Sequence, residues 1–462
     1  MPGLLTRLGR RALLRNRARI DRFKLASRAH VRARLLADPT IGDAVRAHAA
    51  ENGIIERDVW TTVDVYVREI VPFFNVIAYY QIGYRISGWL LNLFYKVSVD
   101  FAEPKAKERL PRDAVLVYVM NHRSNADYVL VSYALAGQVA ISYAVGEWAR
   151  AFPLEIVFKS FGSYFIRRRY REPLYHTVLE RYVQLITREG VTQGIFVEGG
   201  LTRDGKLRAP KIGLLDYVLG IGRDEAFAAR LHIVPVAVNY DRVLEDRSLL
   251  RELSVQEGGR RPSRLSQSWE VARYVGWNLA RLISRRWKRY GRAAVVVGAP
   301  IPLAAWFAEQ RDLFTLEKPA RLARVQALCD GLLERVGALI PVTPVPLVCA
   351  AIQSFDGDFI ARAALLDRID EMRGVLRVLN AGVLREERTN EEIFDRAYRM
   401  LRMRRVIART GSGYLVLPRG RPLVSYYANS IAHLLGPFMQ AVRARDSLPA
   451  REFALTNSGG RP

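Results

Sequence analysis

The chain has little cysteine, little histidine and no long uninterrupted apolar run. Cys329 and Cys349 are the only cysteines among 462 residues, and no CxxC occurs. A disulfide framework is therefore excluded, and a reducing, cytoplasmic setting is the default. The 6 histidines are scattered without clustered ligand spacing, so no metal site is expected. Neither the phosphate-loop pattern GxxxxGK[ST] nor the dinucleotide pattern GxGxxG is present. No secretory signal is visible: the first 37 residues hold eleven Lys/Arg and one acid, Asp21, with no apolar h-region. Within the most apolar stretch, 71–101, the uncharged run goes from Val71 to Tyr84. It is shorter than the roughly 20 residues that a membrane-spanning helix needs.

What is abundant is positive charge. Lys and Arg number 71 against 46 Asp and Glu, a net charge of +25. Such a field favours an anionic partner: nucleic acid, an anionic membrane surface or a phosphorylated substrate. A nucleic-acid reading needs a recognised module with aromatics interleaved among the basic residues, and none is visible. The basic N-terminal arm is open to two readings, a solvated terminus or a helix attracted to an anionic membrane. The stretch 71–101 is rich in Tyr, Phe and Trp. It reads as one or two helices, lying at a membrane interface or packed on the core.

From residue 111 the pattern becomes short β-type runs separated by helical segments. The runs are 114–120, 139–145, 162–167, 194–199, 232–238 and 293–301. Between them "PLYHTVLERYVQLITREG" (173–190) has helical spacing and ends on Gly190. This alternation predicts an α/β fold, a mixed and largely parallel sheet covered by helices. The strands are continuously apolar, so both faces are buried. Pro235 inside 232–238 predicts a strand edge or a bulge. After about 303 the pattern is mostly helical, with a β-hairpin expected over 413–427. The domain organisation read from this is a basic helical N-terminal region (1–104) with its interfacial stretch 71–101, a catalytic domain (105–305) and a mostly helical C-terminal region (306–462).

Four segments carry chemistry. In "VMNHRSNADYVL" (119–130), His122 directly follows a strand and Asp127 opens the next helix. Functional groups gather at such strand ends in α/β sheets. Asp127 can orient one imidazole nitrogen and leave the other as a general base; the bland reading is a helix cap beside an incidental loop histidine. "GSYFIRRRY" (162–170) delivers Arg167, Arg168 and Arg169 to a strand end, where guanidinium groups suit phosphate or simply form a solvated face. In "IFVEGGLTRDGKLRAPKIG" (195–213), Glu198, Gly199 and Gly200 precede Arg203, Lys206, Arg208 and Lys211. One carboxylate and two glycines among many cations suit a phosphorylated substrate, or a solvated glycine turn. "HIVPVAVNYDRV" (232–243) is core, or the wall of an apolar channel. His176, His232 and His433 read as surface or packing residues.

Taken in order, these segments resemble the glycerolipid acyltransferase superfamily, whose hallmark is HxxxxD followed by three ordered blocks. Within it the chain looks like the bacterial and mitochondrial type of glycerol-3-phosphate acyltransferase. "NHRSNADYVLVSYAL" is similar to HRSxxDYxxLSY, and "GSYFIRR" to GAFFIRR. "FVEGGLTRDGKLRAPKIGLL" is similar to FVEGGRSRTGKxxxPKxGxL, and "IVPVAVNYDRVLE" to IPVxxxYDRVxE. "RPLVSYYANSIAHLL" (421–435) resembles the C-terminal YYRNxxxHxF signature. The likeness is close over about 110–245 and looser in the C-terminal third. Leu201 stands where the family has Arg, Thr202 where it has Ser, and Asn125 where it has His or Tyr.

The resemblance implies transfer of a fatty acyl group from acyl-CoA or acyl-carrier protein to the 1-hydroxyl of glycerol 3-phosphate. His122 would be the base and Asp127 its orienter. Arg123, Arg167, Arg203 and Lys206 would hold the phosphate. Glu198 would bind a substrate hydroxyl or orient an Arg, and N–H groups near Gly199 and Gly200 would receive the oxyanion. No cofactor is needed beyond the acyl co-substrate. The enzyme would sit peripherally on the cytoplasmic face of the cell membrane, against an anionic surface, with no nucleic-acid partner. Leu201 keeps other acceptors open: lysophosphatidate, dihydroxyacetone phosphate or another lysolipid. A catalytically dead scaffold of the same fold is the remaining reading.

Overall fold

The computed structural model describes residues 27–73, 84–135, 140–146, 158–167, 170–256 and 289–447. The first 26 residues of the basic arm, positions 74–83 of the apolar stretch, Arg168, Arg169 and the loop 257–267 lie outside the described residues.

Along the chain, α1 (Arg28–Leu36), α2 (Pro39–Asn52), α3 (Glu56–Ile70) and α4 (Tyr84–Phe94) precede β1 (Lys96–Phe101) and β2 (Val115–Met120). Then come α5 (Asp127–Leu135), β3 (Ser142–Gly146), β4 (Tyr164–Ile166), α6 (Pro173–Arg188), β5 (Gln193–Phe196) and α7 (Gly213–Leu219). They are followed by β6 (Leu231–Tyr240), α8 (Asp246–Gln256), β7 (Arg292–Val297), β8 (Ile301–Pro302) and α9 (Lys318–Ala338). The remainder is α10 (Pro344–Gln353), β9 (Phe359–Ala361), α11 (Arg362–Val378), α12 (Asn390–Met403), β10 (Ile407–Thr410), β11 (Gly413–Val416), α13 (Arg421–Asn429) and α14 (Ala432–Ser447).

The fold is α/β. An eight-stranded sheet has the order β1-β7-β6-β2-β5-β3-β4, with β8 added against β6. The pairs β2–β5, β2–β6, β3–β5 and β3–β4 are parallel, and β6–β8 is antiparallel. Every residue of β2 and of the ten-residue β6 is buried, as helices on both faces require.

Two compact units result, and they do not coincide with the three consecutive segments read from the sequence. The first holds residues up to Leu201, Ala209–Val238 and Val295–Leu339; the second holds Thr202–Arg208, Asn239–Ala294 and Ile340 onward. The reason lies in the packing. Helix α9 lies against β2 and α7, so the start of the expected C-terminal region belongs to the first unit. In that unit α2 and α3 pack on α6, which joins the N-terminal helices to the sheet.

Three local expectations are corrected. The end of the 71–101 stretch is not helical: residues 96–101 form the edge strand β1, continued by Ala102 N–H donating to Val297 O (2.9 Å). Pro235 sits in a central strand without a bulge, opposite Val119 of β2. Its carbonyl accepts from Gly298 N–H (2.8 Å), just past the end of β7, and β8 pairs only with His232 and Ile233. The missing proline N–H thus falls in the gap where β6 changes neighbour, so no ladder bond is lost. The late hairpin is 407–416, and 421–429 is the helix α13, with Pro422 in its first turn, where no N–H is needed.

The second unit centres on α10, a helix buried from Pro344 to Ile352 and packed by α11, α12 and α13. Its polar tie is a buried cluster. Arg404 Nη1 and Nη2 donate to Asp246 Oδ2 (2.5 Å) and Oδ1 (2.7 Å), and Tyr427 OH donates to Asp246 Oδ2. Breaking one partner of a buried pair leaves an uncompensated charge. Asp246→Ala is expected to cost about 3–5 kcal/mol in urea unfolding, and Asp246→Leu with Arg404→Met to recover most of it. An additive loss in the double variant would refute the pairing.

Candidate active site

Strand β2 stops at Met120, and Asn121 explains why. Its side chain replaces the next ladder rung: Nδ2 donates to Val238 O (3.0 Å), and Val238 N–H donates to Oδ1 (2.8 Å). The backbone is then free to turn, and His122 N–H donates to Glu198 Oε1 (2.7 Å). Glu198 lies just beyond β5, whose Phe196 pairs with Met120. Two neighbouring strand ends are therefore tied together at the histidine.

Asp127 is the first residue of α5. Its Oδ2 accepts from Arg123 N–H (2.7 Å) and Ser124 N–H (3.0 Å) and lies 2.9 Å from His122 Nδ1. The carboxylate faces Nδ1 as an acceptor, so Nδ1 carries the proton and Nε2 keeps its lone pair. Nε2 makes no hydrogen bond among the described residues. The imidazole stacks on Phe196 (centroids 4.1 Å, 27°) and meets the edge of Tyr128 (5.5 Å). His122 is 1% exposed and Asp127 0%. In so dry a setting the Asp–His interaction is stronger than it would be in water. This arrangement can abstract a proton.

The other expected residues divide. Arg123 is buried directly after His122. Glu198 holds the backbone of His122 through Oε1, a positioning contact that the sequence did not indicate. Gly199 has φ +64, and a Cβ there would fall 2.7 Å from Lys211 Cδ. Its N–H donates to Phe196 O (2.9 Å). That amide is engaged in the turn, which corrects its expected part as an oxyanion donor. Gly200 is buried beside it and makes no backbone hydrogen bond among the described residues.

Arg167 follows β4, on the same carboxyl edge of the sheet. The strand order sets it three strands from His122, on the order of 14 Å at the usual spacing. Its Nε and Nη2 grip Glu69 of α3 (2.9 and 2.6 Å). Tyr66, Tyr170 and Tyr175 lie over the guanidinium at 5.3, 4.7 and 5.6 Å. Nη1 makes no hydrogen bond among the described residues. Sequence reasoning missed Glu69, because it lies 98 residues upstream on a helix without a motif.

Arg203 and Lys206 belong to the second unit. Arg203 Nε pairs with Glu252 Oε2 at 3.0 Å on the surface, and Lys206 is exposed. Their loop is fixed by Thr202 and Asp204. Gly205 N–H donates to Thr202 Oγ1 (3.1 Å), Lys206 N–H to Asp204 Oδ1 (3.0 Å), and Asn429 Nδ2 to Asp204 O (2.8 Å). Gly205 has φ +87, and a Cβ would fall 1.9 Å from Tyr426 O. Neither cysteine is a candidate nucleophile. Burial pushes the Cys329 thiol up to about 12 and the Cys349 thiol higher still, so neither forms a thiolate readily.

Comparison with known proteins agrees with this geometry. Residues 103–239 match the acyltransferase family model, and 276–441 match the glycerol-3-phosphate acyltransferase C-terminal region. The chain belongs to the glycerolipid acyltransferase superfamily. Within it, the chain is of the glycerol-3-phosphate acyltransferase-like kind. It is 27% identical over 449 residues to the glycerol-3-phosphate acyltransferase of Aeromonas hydrophila, covering 93% of this chain and 53% of that one. The Actinobacillus succinogenes protein of the same name is 26% identical over 425 residues, covering 89% and 50%. The chain thus spans about half the length of the curated relatives it matches. The crystal structure of the 1-acyl-sn-glycerophosphate acyltransferase of Thermotoga maritima aligns at 20% identity and a TM-score of 0.30, over 55% of this chain and 76% of that one. That superposition is too loose to add to the argument.

Asp127→Asn is expected to lower turnover by about 10²–10⁴-fold, since an amide can turn a donor toward Nδ1 and so favour the other tautomer. Circular dichroism should remain that of the parent. Turnover within threefold of the parent would remove Asp127 from the mechanism.

Proposed function

We propose that the chain transfers a fatty acyl group from acyl-CoA or acyl-carrier protein to the 1-hydroxyl of glycerol 3-phosphate, giving lysophosphatidate. The observation that carries this reading is the 2.9 Å contact of His122 Nδ1 with Asp127 at a buried strand end, within an HxxxxD motif. An alcohol is a weak nucleophile at neutral pH, and a positioned base supplies about 10²–10⁴-fold. His122 Nε2 takes the hydroxyl proton as the oxygen attacks the thioester carbonyl. Asp127 stabilises the imidazolium through Nδ1. The tetrahedral intermediate collapses, the C–S bond breaks, and the imidazolium returns its proton to the departing thiolate. No acyl-enzyme, cofactor or metal is needed in this scheme.

Arg167 offers its Nη1 edge to the acceptor phosphate, held by Glu69 and the tyrosines. Arg123, in the same unit, is the further cation assigned to that phosphate. The N–H of Gly200 takes the oxyanion. A second reading, lysophosphatidate as acceptor, is favoured by one residue, the aliphatic Leu201 in the otherwise cationic third block. The positive field serves phosphate substrates and an anionic membrane on the cytoplasmic side, and no nucleic acid. Among the described residues no helix is long and apolar enough to cross a membrane. Helix α4 instead exposes Ile86, Trp89 (62%) and Leu90 on one face next to Arg85, a surface suited to lying in the interface.

Palmitoyl-CoA offered with glycerol 3-phosphate, with lysophosphatidate in parallel, tests both readings. Product from glycerol 3-phosphate that His122→Ala abolishes supports the first. Product from lysophosphatidate alone replaces it with the second. Silence with both acceptors, across CoA and carrier-protein donors, refutes the substrate assignment. Glu69→Gln is expected to raise KM for glycerol 3-phosphate about tenfold with kcat nearly unchanged, because Arg167 loses its charged anchor. An unchanged KM would detach Arg167 from the phosphate.

A further inference from the structure

Arg292 opens β7 and belongs to the second unit. Its side chain is buried, 3% exposed, and among the described residues its Nε and Nη2 make no hydrogen bond. Those two nitrogens form the side edge of the guanidinium, the fork that grips an oxyanion through two parallel bonds. A fold does not ordinarily bury that fork empty, because an unpaired buried charge is among the most costly groups to desolvate.

The nearest carboxylate does not fill it. Asp241 Oδ2 accepts from the backbone N–H of Arg292 (2.8 Å), and Oδ1 accepts from Val345 N–H (3.2 Å). More positive charge converges on the same place. Gly291, with φ +93, lies against Asp241 and the Met400 side chain, where an added Cβ would fall 2.9 Å from Met400 Cε. Arg396 is one turn before Met400 on α12, hence on the same face. Arg385, with φ +68, is held close by its chain: Leu384 N–H donates to Val342 O (3.0 Å), three residues before the Val345 that binds Asp241. Burial, with Arg396 and Arg385 nearby, lowers the pKa of Arg292 from its ordinary value. Among the described residues Glu387 is the other acid acting on Arg292, and it pairs with Arg385 Nη1 at 3.0 Å. Three arginines against two acids leave the cluster cationic. Arg396 is exposed, Arg385 half-buried and Arg292 buried, so the charges step inward from the surface.

We propose that Arg292, with Arg396 and Arg385, forms an anion site that takes a phosphate group, either free phosphate or the phosphate monoester of a larger molecule. The acyl-transfer scheme uses none of these residues, and no sequence motif marks them. Arg292 is the floor of the site, and Arg396 draws the anion in.

The test is thermal unfolding of the full chain in sodium phosphate against sodium chloride of equal ionic strength. Phosphate is expected to raise the midpoint of the parent and of Arg167→Met, and to do so little or not at all in Arg292→Met. Without phosphate, Arg292→Met should unfold at the same temperature or higher, because an unpaired buried charge is gone. Arg396→Met should weaken the apparent affinity about tenfold. Should Arg292→Met fail to fold, the surface variant Arg396→Met decides alone. A phosphate shift that is absent in the parent, or equal in the parent and these variants, overturns the proposal. Coenzyme A and dephospho-coenzyme A separate the sources. A shift given only by the former and abolished by Arg292→Met points to a phosphate monoester, and a shift with inorganic phosphate alone points to the free anion.

Discussion

The candidate site depends on one oxygen atom. Asp127 Oδ2 gathers the N–H groups of Arg123 and Ser124 and faces His122 Nδ1. Those contacts define the loop between β2 and α5. The five-residue spacing of histidine and aspartate follows from this. The loop must be long enough to turn back, yet short enough for the first residue of α5 to reach the ring. The same oxygen fixes the tautomer, so the loop's conformation and its chemistry are one constraint. Asn121 and Glu198 complete it, the first by ending β2 against Val238 and the second by holding the His122 amide. A loop anchored at both ends in a buried setting keeps its base in one place without ordering it during the reaction.

Much of this was legible in the sequence. Five of the six β-type runs became strands of the large sheet, and the sixth, 293–301, divided between β7 and β8. Such runs are readable because a strand buried on both faces is apolar at every position. His122 and Asp127 were legible because both sit within six residues of one motif. Less visible was whatever depends on a distant partner. Glu69 reaches Arg167 from a helix about a hundred residues away. Pro235 misled because the rule for proline concerns a missing ladder bond, and here the neighbouring strand changes at that rung. The 413–427 segment alternates like a hairpin, yet it became helix after Pro418 because β11 found its partners in β10 and β9.

The net charge of +25 is likewise not a uniform field. Arg167 is matched by Glu69, Arg203 by Glu252 and Arg404 by Asp246. A surface pair such as Arg203–Glu252 contributes little stability, but each pairing removes one arginine from the set available to a ligand. What counts for function is which guanidinium edges stay open after pairing. Arg167 keeps its end edge open while its side edge holds Glu69, and the tyrosines cover its faces. A cation so fixed loses little side-chain entropy on binding an anion, which is where a flexible lysine would lose most.

The same criterion extends to the second unit, where Arg404 and Arg292 make an instructive pair. Both are buried arginines. Arg404 has its end edge, Nη1 and Nη2, filled by Asp246 and closes a structural cluster. Among the described residues nothing fills the Nε–Nη2 edge of Arg292, and the adjacent Asp241 is turned to backbone donors. Had the fold required only charge balance, Asp241 is near enough in space to have taken the side chain. It caps backbone N–H groups instead, and the guanidinium is left for an anion that the described residues do not supply.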